Sequence, residues 1–434
     1  MTKLWDKGYQ INHDLETFMA GSDPVLDLKI AKYDCLASIA HAKMLASINI
    51  INSTECDALT SELKEIIELL ATGSFIIDLE QEDIHTAIEN HLIQKLGTTG
   101  KKIHTGRSRN DQVLTALRLY TKAELENTHQ AMIVALEVLY AFTSKYQNIP
   151  YVGRTHFQKA MPSSFGLWGG AMIESLLDDI KLINNAYQII DQSPLGSAAS
   201  YGVNLPLDRE YSSKEMGFNK VQNNVLYANN SRGKFEGVVI HGLSQIMLDL
   251  AKLSTDMIIF SAPEFGYLNL PEEFCPGSSL MPNKKNPDPF ELIRAKSATV
   301  ISKLMQVMEI SRGLPSGYNR DFQETKEPLI NSFEITQQSL EVVALIMAKV
   351  TVNQEKCIAD FSPEVFATDH ALALTTSGIP FRDAYRETAL NITNLELDDP
   401  VSNILAKKHQ GATGNLGLDL LYQQIQDLKQ NNLE

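Results

Sequence analysis

The feature that most constrains the fold is a stretch between residues 111 and 146 that has helical periodicity and no helix breaker. Apolar side chains recur there at spacings of three and four, from Val113 and Leu114 to Leu136 and Leu139, and Pro150 follows. Roughly 35 residues at a rise of 1.5 Å predict a rod of about 50 Å, much longer than a typical globular helix. The chain is therefore expected to fold around long helices.

Four further stretches carry the same pattern, at 163–192, 235–260, 288–311 and 327–351. No comparable series of alternating β segments appears, and no glycine fingerprint follows a strand pattern. The predicted class is all-α, with five long helices in a central bundle. The shorter helical patterns before and after the bundle predict three domains, at 1–105, 106–352 and 353–434.

Rods of this length rarely bury all of their apolar stripes within one chain, so the pattern favours a homo-oligomer built around a helix bundle. A long monomeric bundle is the alternative.

The charge balance limits the classes of partner. Lys plus Arg is 38 and Asp plus Glu is 53, which gives 38 − 53 = −15, and the pI is about 5.2. Nucleic-acid binders and anionic-membrane binders need positive potential, so neither class is expected, and an anionic ligand requires a local cationic pocket.

The chain shows no apolar run of about 18 residues or more and no apolar signal segment at its start, which predicts a cytoplasmic protein without a membrane span. The four cysteines lie far apart without ligand-like spacing to histidine, so neither a disulfide framework nor a zinc site is expected.

Four polar segments interrupt or flank the predicted rods. In the first, HTGRSRNDQ (104–112), two arginines precede the longest rod, where Asn110 or Asp111 is a natural N-cap. Arginines beside a helix N-terminus suit a carboxylate or a phosphate group. A capped, solvated turn is the alternative.

The second segment, GRTHFQ (153–158), contains His156. Histidine is the side chain that most often exchanges protons near neutral pH, so this residue is a candidate acid or base. A structural histidine is the more common case, and nothing nearby in the sequence decides between them.

The third segment, PGSSLMPNKKNP (276–287), reads as a mobile loop with a basic pair, and it leads into the rod that carries Glu291. It lacks the GxxxxGK[ST] pattern and a preceding strand, so nucleotide binding is not expected. A neighbouring ammonium or backbone N–H groups would stabilise the alkoxide form of a serine there. A flexible linker is the alternative.

The fourth segment, YNRDFQETK (318–326), mixes tyrosine, glutamine and lysine with carboxylates just before the last rod. By itself it reads as a charged loop.

Taken together, these segments resemble a known family. GSSLMPNKKNP resembles the signature of the fumarase/aspartase superfamily. HTGRSRNDQ, GRTHFQKAMP and YNRDFQETK, in that order, narrow the resemblance to the argininosuccinate lyase family and its δ-crystallin relatives. The match extends from about Asp83 to Lys326.

The resemblance implies a three-domain, all-α subunit whose long helices form the core of a homotetramer, with each active site shared between three subunits. It also implies the reversible elimination of argininosuccinate to arginine and fumarate, a small-molecule substrate, no organic cofactor and no metal.

The resemblance further implies four catalytic residues. Ser278 would be the base that removes the proton, and Lys284 would stabilise the doubly charged aci-carboxylate that results. His156 would face the departing guanidinium nitrogen, and Glu291 would pair with that histidine. The donor of the leaving-group proton is left open.

The substrate-contacting residues implied by the match divide by charge. Asn110, Thr155 and Asn286 would hold the succinyl carboxylates with Arg109 alongside, and Asp83 suits a cationic group. The remaining implied contacts are Asp27, for which the alignment is plausible, and three residues that would grip the arginine portion: Tyr318, Gln323 and Lys326.

Two segments depart from the family pattern. FMAGSDPVLD (18–27) replaces a serine-containing stretch: Asp23 occupies the aligned position of the serine, and Ser22 is its neighbour. Arg154 stands where a tyrosine is usual. These departures leave open an N-acylated argininosuccinate as substrate. An adenylosuccinate lyase and a crystallin-like structural protein with a retired site are the rival interpretations.

Overall fold

The computed structural model describes residues 12–77 and 81–430. Its first helices form because polar caps alternate with apolar stripes. In the clearest case, the Asn52 side chain accepts a hydrogen bond from the Glu55 N–H at 2.9 Å, and the Glu55 side chain accepts one from the Asn52 N–H at 3.1 Å. The first five helices are α1 (His13–Ala20), α2 (Asp23–Ser47), α3 (Ser53–Ala71), α4 (Ile84–Leu96) and α5 (Thr98–Lys101).

The five predicted long helices are confirmed, each end lying within four residues of its predicted position. The longest has 38 residues and, at 1.5 Å per residue, a length of about 57 Å. The elements from this helix to the last long helix are α6 (Arg109–Tyr146), β1 (Pro150–Thr155), β2 (Gln158–Ser164), α7 (Phe165–Ile190), β3 (Gln192–Ser193), α8 (Arg209–Glu215), β4 (Lys220–Val221), α9 (Val225–Asn230), α10 (Lys234–Ser261), β5 (Leu268–Asn269), α11 (Asp288–Ser311) and α12 (Lys326–Met347).

Short elements follow the last long helix. They are β6 (Thr351–Val352), α13 (Gln354–Ala359), α14 (Ala367–Thr376), α15 (Phe381–Leu390), α16 (Pro400–Ala406) and α17 (Leu418–Gln430). Short 3₁₀ helices occupy Lys102–His104, Glu272–Phe274, Arg320–Thr325, Pro363–Phe366 and Ile392–Asn394.

The start of α6 corrects one prediction. The helix begins at Arg109, so neither Asn110 nor Asp111 is its N-cap. Ser108 precedes it: its hydroxyl accepts from the Asn110 N–H at 3.3 Å, and the Asp111 carboxylate accepts from the Ser108 N–H at 2.9 Å. This reciprocal arrangement satisfies amide groups that the helix itself leaves unpaired.

The sequence pattern did not predict the β-hairpin of β1 and β2, which pair antiparallel. The two central residues of its turn, His156 and Phe157, have φ values of 54° and 59°. A two-residue turn in which both residues are left-handed suits the twist of a hairpin. For residues other than glycine this conformation costs about 1 kcal/mol or more. The hairpin therefore presents the exposed His156 at its tip.

The other strands contain two residues each. β3 pairs with β4 in parallel, and β5 pairs with β6 antiparallel. The predicted all-α class is confirmed, since long helices dominate the described residues and the strands are short.

Two compact units divide the chain. The first contains the described residues of Met1–Asn127, Ile183–Gly242 and Ile301–Glu334, and the second those of Thr128–Leu182, Leu243–Val300 and Ile335–Glu434. In the first unit, α2, α3 and α4 bury an aliphatic core that includes Leu45, Leu63 and Ile88. In the second, Tyr151 of β1 packs against Phe165 and Phe260 with ring centroids 5.1 and 5.4 Å apart.

No helix among the described residues is both long enough and apolar enough to cross a bilayer.

A pair of carboxyl groups in the second unit, one of them buried, predicts a pH-dependent stability. Asp179 is buried, and this burial together with the charge of Asp249 raises the pKa of Asp179 to about 8. Ser175 donates a hydrogen bond to Asp249. The folded chain keeps a proton on Asp179 that the unfolded chain releases near pH 4, so stability falls as pH rises from about 4 to about 8 and then levels off.

Replacing Asp179 with asparagine is expected to remove this pH dependence and to raise the free energy of unfolding by about 1–3 kcal/mol near pH 8. Urea denaturation at several pH values measures the free energy of unfolding. Asp178→Asn is the matched control, because Asp178 is exposed and pairs with Lys181 at 2.7 Å. Equal effects of the two substitutions would contradict the prediction.

Candidate active site

Seven of the predicted site residues line one cavity of about 260 Å³ in the first unit. The cavity carries acidic and basic side chains in similar number, as a site for a multiply charged small molecule requires. The seven predicted residues are Asp27, Asp83, Arg109, Asn110, Tyr318, Gln323 and Lys326, and the lining also includes Asp23, Glu82, His85, Val113, Arg232 and Arg320.

Lys326, the first residue of α12, lies between two carboxylates of α2. Its ammonium group contacts Asp23 at 2.8 Å and also donates to Asp27. Although burial favours the neutral amine, the charges of Asp27 and Asp23 raise the pKa of Lys326. Burial and the neighbouring Asp27 raise the pKa of Asp23, against the influence of Lys326. The lysine is therefore a charged group in a cluster with an excess of carboxylates.

Asp83 and Arg109 are joined through α4. Asp83 caps this helix by accepting from the Thr86 N–H and hydroxyl, both at 2.8 Å. The Arg109 guanidinium lies 3.2 Å from the Asp83 carboxylate and donates to the Thr86 hydroxyl at 2.6 Å. The carboxylate of Asp83 is thus already engaged within the chain.

Glu82 was not predicted, although its backbone marks it. It has φ of 69° and a buried side chain, a combination that a residue other than glycine adopts only when its surroundings impose it. Its carboxylate accepts from Arg320 at 3.0 Å, and Arg320 also donates to the Met19 carbonyl at 2.9 Å. Gln323 donates to the same carbonyl at 3.0 Å. These contacts hold the end of α1 against the cavity.

His85 was also missed. Its Nδ1 lies 2.6 Å from the Asp34 carboxylate, which also accepts from Gln112 at 3.0 Å. Burial opposes charge on both partners, yet their attraction raises the pKa of His85 and lowers that of Asp34. The imidazole lines the cavity, and its other nitrogen, Nε2, is buried without a hydrogen-bond partner among the described residues. The only available sequence signal was a histidine two residues after Asp83.

Arg232 is a third residue that sequence reasoning missed. It precedes α10, is 4% exposed, and lies over the rings of Tyr318 and Phe322, with 5.2 and 5.4 Å to the ring centroids. Its Nε and Nη1 atoms are buried and have no hydrogen-bond partner among the described residues. Burial lowers the pKa of this guanidinium. A cation in such a position suits an anionic ligand group.

A larger groove of about 760 Å³ in the same unit lies beside this cavity's wall, and Arg232 lines both. Residues such as Val238, Leu304 and Met308 make the groove mainly apolar. The described residues that line it include no carboxylate, whereas the smaller cavity offers charges of both signs. The smaller cavity is therefore the better candidate for binding a charged substrate.

The other six predicted residues belong to the second unit. Thr155 and His156 are exposed at the turn of the β1–β2 hairpin. Ser278, Lys284 and Asn286 lie in the loop before α11, and Glu291 lies exposed in the first turn of α11. The described residues that line the cavity of the first unit include none of these six.

The loop that carries Ser278 has defined backbone geometry. The Ser278 hydroxyl accepts from the N–H groups of Leu280 at 3.2 Å and Met281 at 3.1 Å. A β-bridge between Gly277 and Lys285 closes the loop. Two amide donors aimed at one hydroxyl oxygen favour its negatively charged form.

The two lysines of the loop differ. Lys285 forms an ion pair with Glu272, while Lys284 is exposed and forms no ion pair with the described residues. Lys284 is therefore the one of the two whose charge is available to a ligand.

Arg154, which stands where the family usually has a tyrosine, contacts residues outside the hairpin. Its guanidinium pairs with Asp360 at 2.7 Å and lies over the Phe265 ring at 4.9 Å from the centroid. Lys159 contacts the same carboxylate at 3.0 Å, and Tyr267 donates to it. These contacts tie both strands to the segment after α13.

Among the described residues, no group of three or more His, Cys, Asp or Glu side chains is arranged to hold a metal ion.

Comparison with known proteins adds independent information. A lyase family model matches residues 20–302. The chain is 46% identical over 387 residues to an argininosuccinate lyase of Thermotoga neapolitana, covering 89% of this chain and 97% of the relative. It is 40% identical over 434 residues to an argininosuccinate lyase of Bacteroides fragilis, covering 100% of this chain and 95% of the relative.

Solved structures with a similar fold are more distant in sequence. An EDDS lyase in complex with formate matches with a TM-score of 0.80 at 20% identity, covering 97% of this chain and 92% of that chain. A class II fumarase from Schistosoma mansoni matches with a TM-score of 0.74 at 16% identity, covering 91% of this chain and 95% of that chain. These likenesses establish the fold.

Proposed function

We propose a division of catalytic roles from the premise that the chain belongs to the argininosuccinate lyase family. The enzyme is a lyase, and its reaction is the reversible elimination of argininosuccinate to arginine and fumarate. The single observation that carries the roles is the Ser278 hydroxyl, which accepts two backbone N–H hydrogen bonds in a loop that also presents the exposed Lys284.

The first chemical step removes a proton from the carbon next to a succinyl carboxylate. Ser278, in its alkoxide form, takes this proton, and the two amide donors lower the cost of that negative charge. The electron pair left on carbon delocalises into the carboxylate, which becomes doubly charged. Lys284 and Asn286 stabilise this aci form, because preorganised charge at the developing anion is commonly the largest catalytic contribution.

The second step breaks the bond between carbon and the guanidinium nitrogen, and the electron pair leaves with the nitrogen. His156 faces this nitrogen and either protonates it or orients the group that does, and Glu291 holds the imidazole. The exposed position of His156 at a hairpin tip and its left-handed backbone, with φ of 54°, support this role, since residues held in sparsely populated conformations cluster at functional sites.

The substrate-binding residues divide between the two ends of argininosuccinate. Thr155, Asn110 and Arg109 hold the succinyl carboxylates, and Tyr318, Gln323 and Lys326 grip the arginine portion. Asp27 supports the last of these through its ion pair with Lys326. Asp83 acts through Arg109, since its own carboxylate is engaged by Thr86 and that arginine.

The active enzyme is a homotetramer whose sites are shared between subunits. Exposed apolar side chains along α6, α10, α11 and α12 support this assembly, because long helices with unburied apolar faces pack against other copies. Examples are Val134, Leu248, Met305 and Leu345, which are 51%, 44%, 53% and 55% exposed. The cytoplasm is the expected location.

Sedimentation tests the assembly, with an expected mass of about four times 48.3 kDa. Mixing two inactive variants, Ser278→Ala and Arg109→Ala, tests the shared site. Dissociation and reassembly of the mixture is expected to restore part of the activity, because some sites then receive both intact residues. A monomeric enzyme with full activity would contradict the proposal.

The substrate is tested by a paired assay of the purified protein with argininosuccinate and with adenylosuccinate, following fumarate by its ultraviolet absorbance. Fumarate is expected from argininosuccinate alone. Fumarate from adenylosuccinate alone, or from neither compound, would contradict the proposed function.

Replacing His156 with asparagine is expected to lower kcat by about 100-fold without changing stability. Asparagine adopts the left-handed conformation readily, so the turn keeps its shape at φ 54°. The measurement is kcat for argininosuccinate as a function of pH, together with thermal unfolding. His409→Asn, an exposed substitution, is the control. An unchanged kcat in His156→Asn would show that this histidine has no part in the reaction.

A further inference from the structure

Two unsatisfied charges meet in the cavity of the first unit. One is the excess of carboxylate around Lys326, where Asp23 and Asp27 share one ammonium group. The other is the buried guanidinium of Arg232, whose Nε and Nη1 have no partner among the described residues. Both side chains line the same cavity, and the charge of Asp23 acts on Arg232.

The carboxylates of the cavity differ in how fully they are engaged. Asp83 caps α4 and pairs with Arg109, Glu82 pairs with Arg320, and Asp27 accepts from the Ile84 N–H at 3.1 Å as well as from Lys326. Among the described residues, Asp23 accepts from Lys326 through Oδ1 alone, and its side chain keeps 16% of its surface exposed. Asp23 is therefore the carboxylate best placed to accept a cationic group of a ligand.

Opposite charges that line one cavity would normally pair with each other. Here Asp23 pairs with Lys326, while Arg232 is held over the rings of Tyr318 and Phe322. An anion acceptor and a cation acceptor in one small cavity suit a ligand group that carries both charges close together. An α-amino acid group, with ammonium and carboxylate on one carbon, has this character.

We propose that Asp23 and Arg232 recognise the free α-amino acid group of argininosuccinate, Asp23 binding the ammonium and Arg232 the carboxylate, so that the enzyme selects against N-acylated substrates. This inference rests on the proposed function, and it answers the question that the departure at Asp23 raised. N-acylation removes the positive charge and adds bulk, so it would leave Asp23 facing a neutral amide in a cavity of about 260 Å³.

The guanidinium end of the substrate is a less suitable partner for Asp23. It must lie beside the groups that carry out the elimination, which we place on Ser278 and His156. Asp23 instead lines the cavity together with Gln323 and Lys326, and its ion pair is with Lys326, the residue assigned to the arginine portion.

The test uses the reverse reaction, addition of a guanidine compound to fumarate, followed by the loss of fumarate absorbance. Four compounds separate the two charges: arginine, 5-guanidinopentanoate without the amino group, agmatine without the carboxylate, and Nα-acetylarginine. The wild-type enzyme is expected to prefer arginine over each of the other three by about 10-fold or more in kcat/KM, because each lacks one charge-assisted contact.

Asp23→Asn is expected to lower kcat/KM for arginine by about 10- to 100-fold and that for 5-guanidinopentanoate by about threefold or less. The preference for arginine over 5-guanidinopentanoate is then nearly lost, while the preference over agmatine remains. Asp23→Glu keeps the charge and is expected to retain the preference for arginine over 5-guanidinopentanoate. Asp14→Asn, an exposed substitution on α1, changes the net charge equally and is the control.

Arg232→Gln is expected to show the reciprocal pattern, losing the preference over agmatine and keeping the preference over 5-guanidinopentanoate. If that variant does not fold, Arg232→Lys, which keeps the charge, is expected to retain part of the preference over agmatine.

Three outcomes would overturn the inference while leaving the lyase activity established. One is an equal loss of kcat/KM with all four compounds in Asp23→Asn, which would make Asp23 a structural partner of Lys326. Another is no loss with any of them. The third is a wild-type preference for Nα-acetylarginine over arginine. A wild-type enzyme that adds none of the compounds to fumarate would instead contradict the proposed function itself.

Discussion

Replacing Ser278 with alanine is expected to lower kcat by about 10²- to 10⁴-fold and to change the binding of argininosuccinate by about threefold or less. The substitution removes the oxygen that takes the proton, while the loop keeps its β-bridge between Gly277 and Lys285. Steady-state kinetics gives kcat, and calorimetric titration of the inactive variant gives the dissociation constant.

The chain provides a matched control one position away. Ser279 is exposed and has the same side chain in the same loop, but the two backbone N–H groups of Leu280 and Met281 point to the Ser278 hydroxyl. Ser279→Ala is therefore expected to keep kcat within about threefold of wild type. Normal turnover in Ser278→Ala, or equal losses in both variants, would exclude Ser278 as the base.

Replacing Lys326 with methionine is expected to lower the free energy of unfolding by about 3–5 kcal/mol, the largest stability effect that the structure predicts. Methionine keeps most of the apolar stem and removes the ammonium group with its hydrogen bonds, which leaves Asp23 and Asp27 facing each other without a cation. The lysine side chain is 5% exposed, so water replaces little of that lost interaction. Urea denaturation measures the change.

An exposed ion pair of the same unit is the control. Lys29 contacts Glu334 at 2.8 Å, with 54% and 39% of the two side chains exposed. Lys29→Met is expected to cost about 1 kcal/mol or less, because solvent screens such a pair. In the Lys326→Met background, Asp23→Asn is expected to restore part of the stability, since it removes one of the two repelling charges. A further loss in that double variant would contradict the electrostatic explanation.

The pH dependence of this ion pair has a defined sign. The charges of Asp27 and Asp23 raise the pKa of Lys326 above its ordinary value of 10.5, against the effect of burial. Its contribution to stability is therefore complete below about pH 10.5 and is lost only as pH rises through the higher pKa of the folded state.

Periodicity predicted the parts of the fold that depend on local interactions. Each long helix forms its hydrogen bonds within four residues, and its apolar stripe repeats at 3.6 residues, so both signals lie within a short window of sequence. The ends of α11 agree with the prediction at both residues, Asp288 and Ser311. The β1–β2 hairpin was missed because its turn uses His156 and Phe157 in place of glycine or asparagine.

Ten of the thirteen predicted site residues lie in the four polar segments, and the other three are Asp27, Asp83 and Glu291. The structure groups seven of the thirteen in one cavity. The roles of all thirteen, and the division into domains at 1–105, 106–352 and 353–434, stay predictions. His85, Glu82 and Arg232 could not be recognised by motif alone, because what marks them is an unsatisfied atom or a strained backbone in three dimensions.

The sequence by itself determined the helical class, the five long helices and the family resemblance, because each depends on residues that are close together along the chain or on a long ordered pattern of motifs. Only the tertiary structure decided which charges are satisfied. Lys326 contacts Asp27, which is 299 positions away in the sequence, and His85 contacts Asp34, which is 51 positions away. Such pairs form when packed helices bring distant residues together in a place where burial makes an unpaired charge costly, and no local pattern encodes that distance.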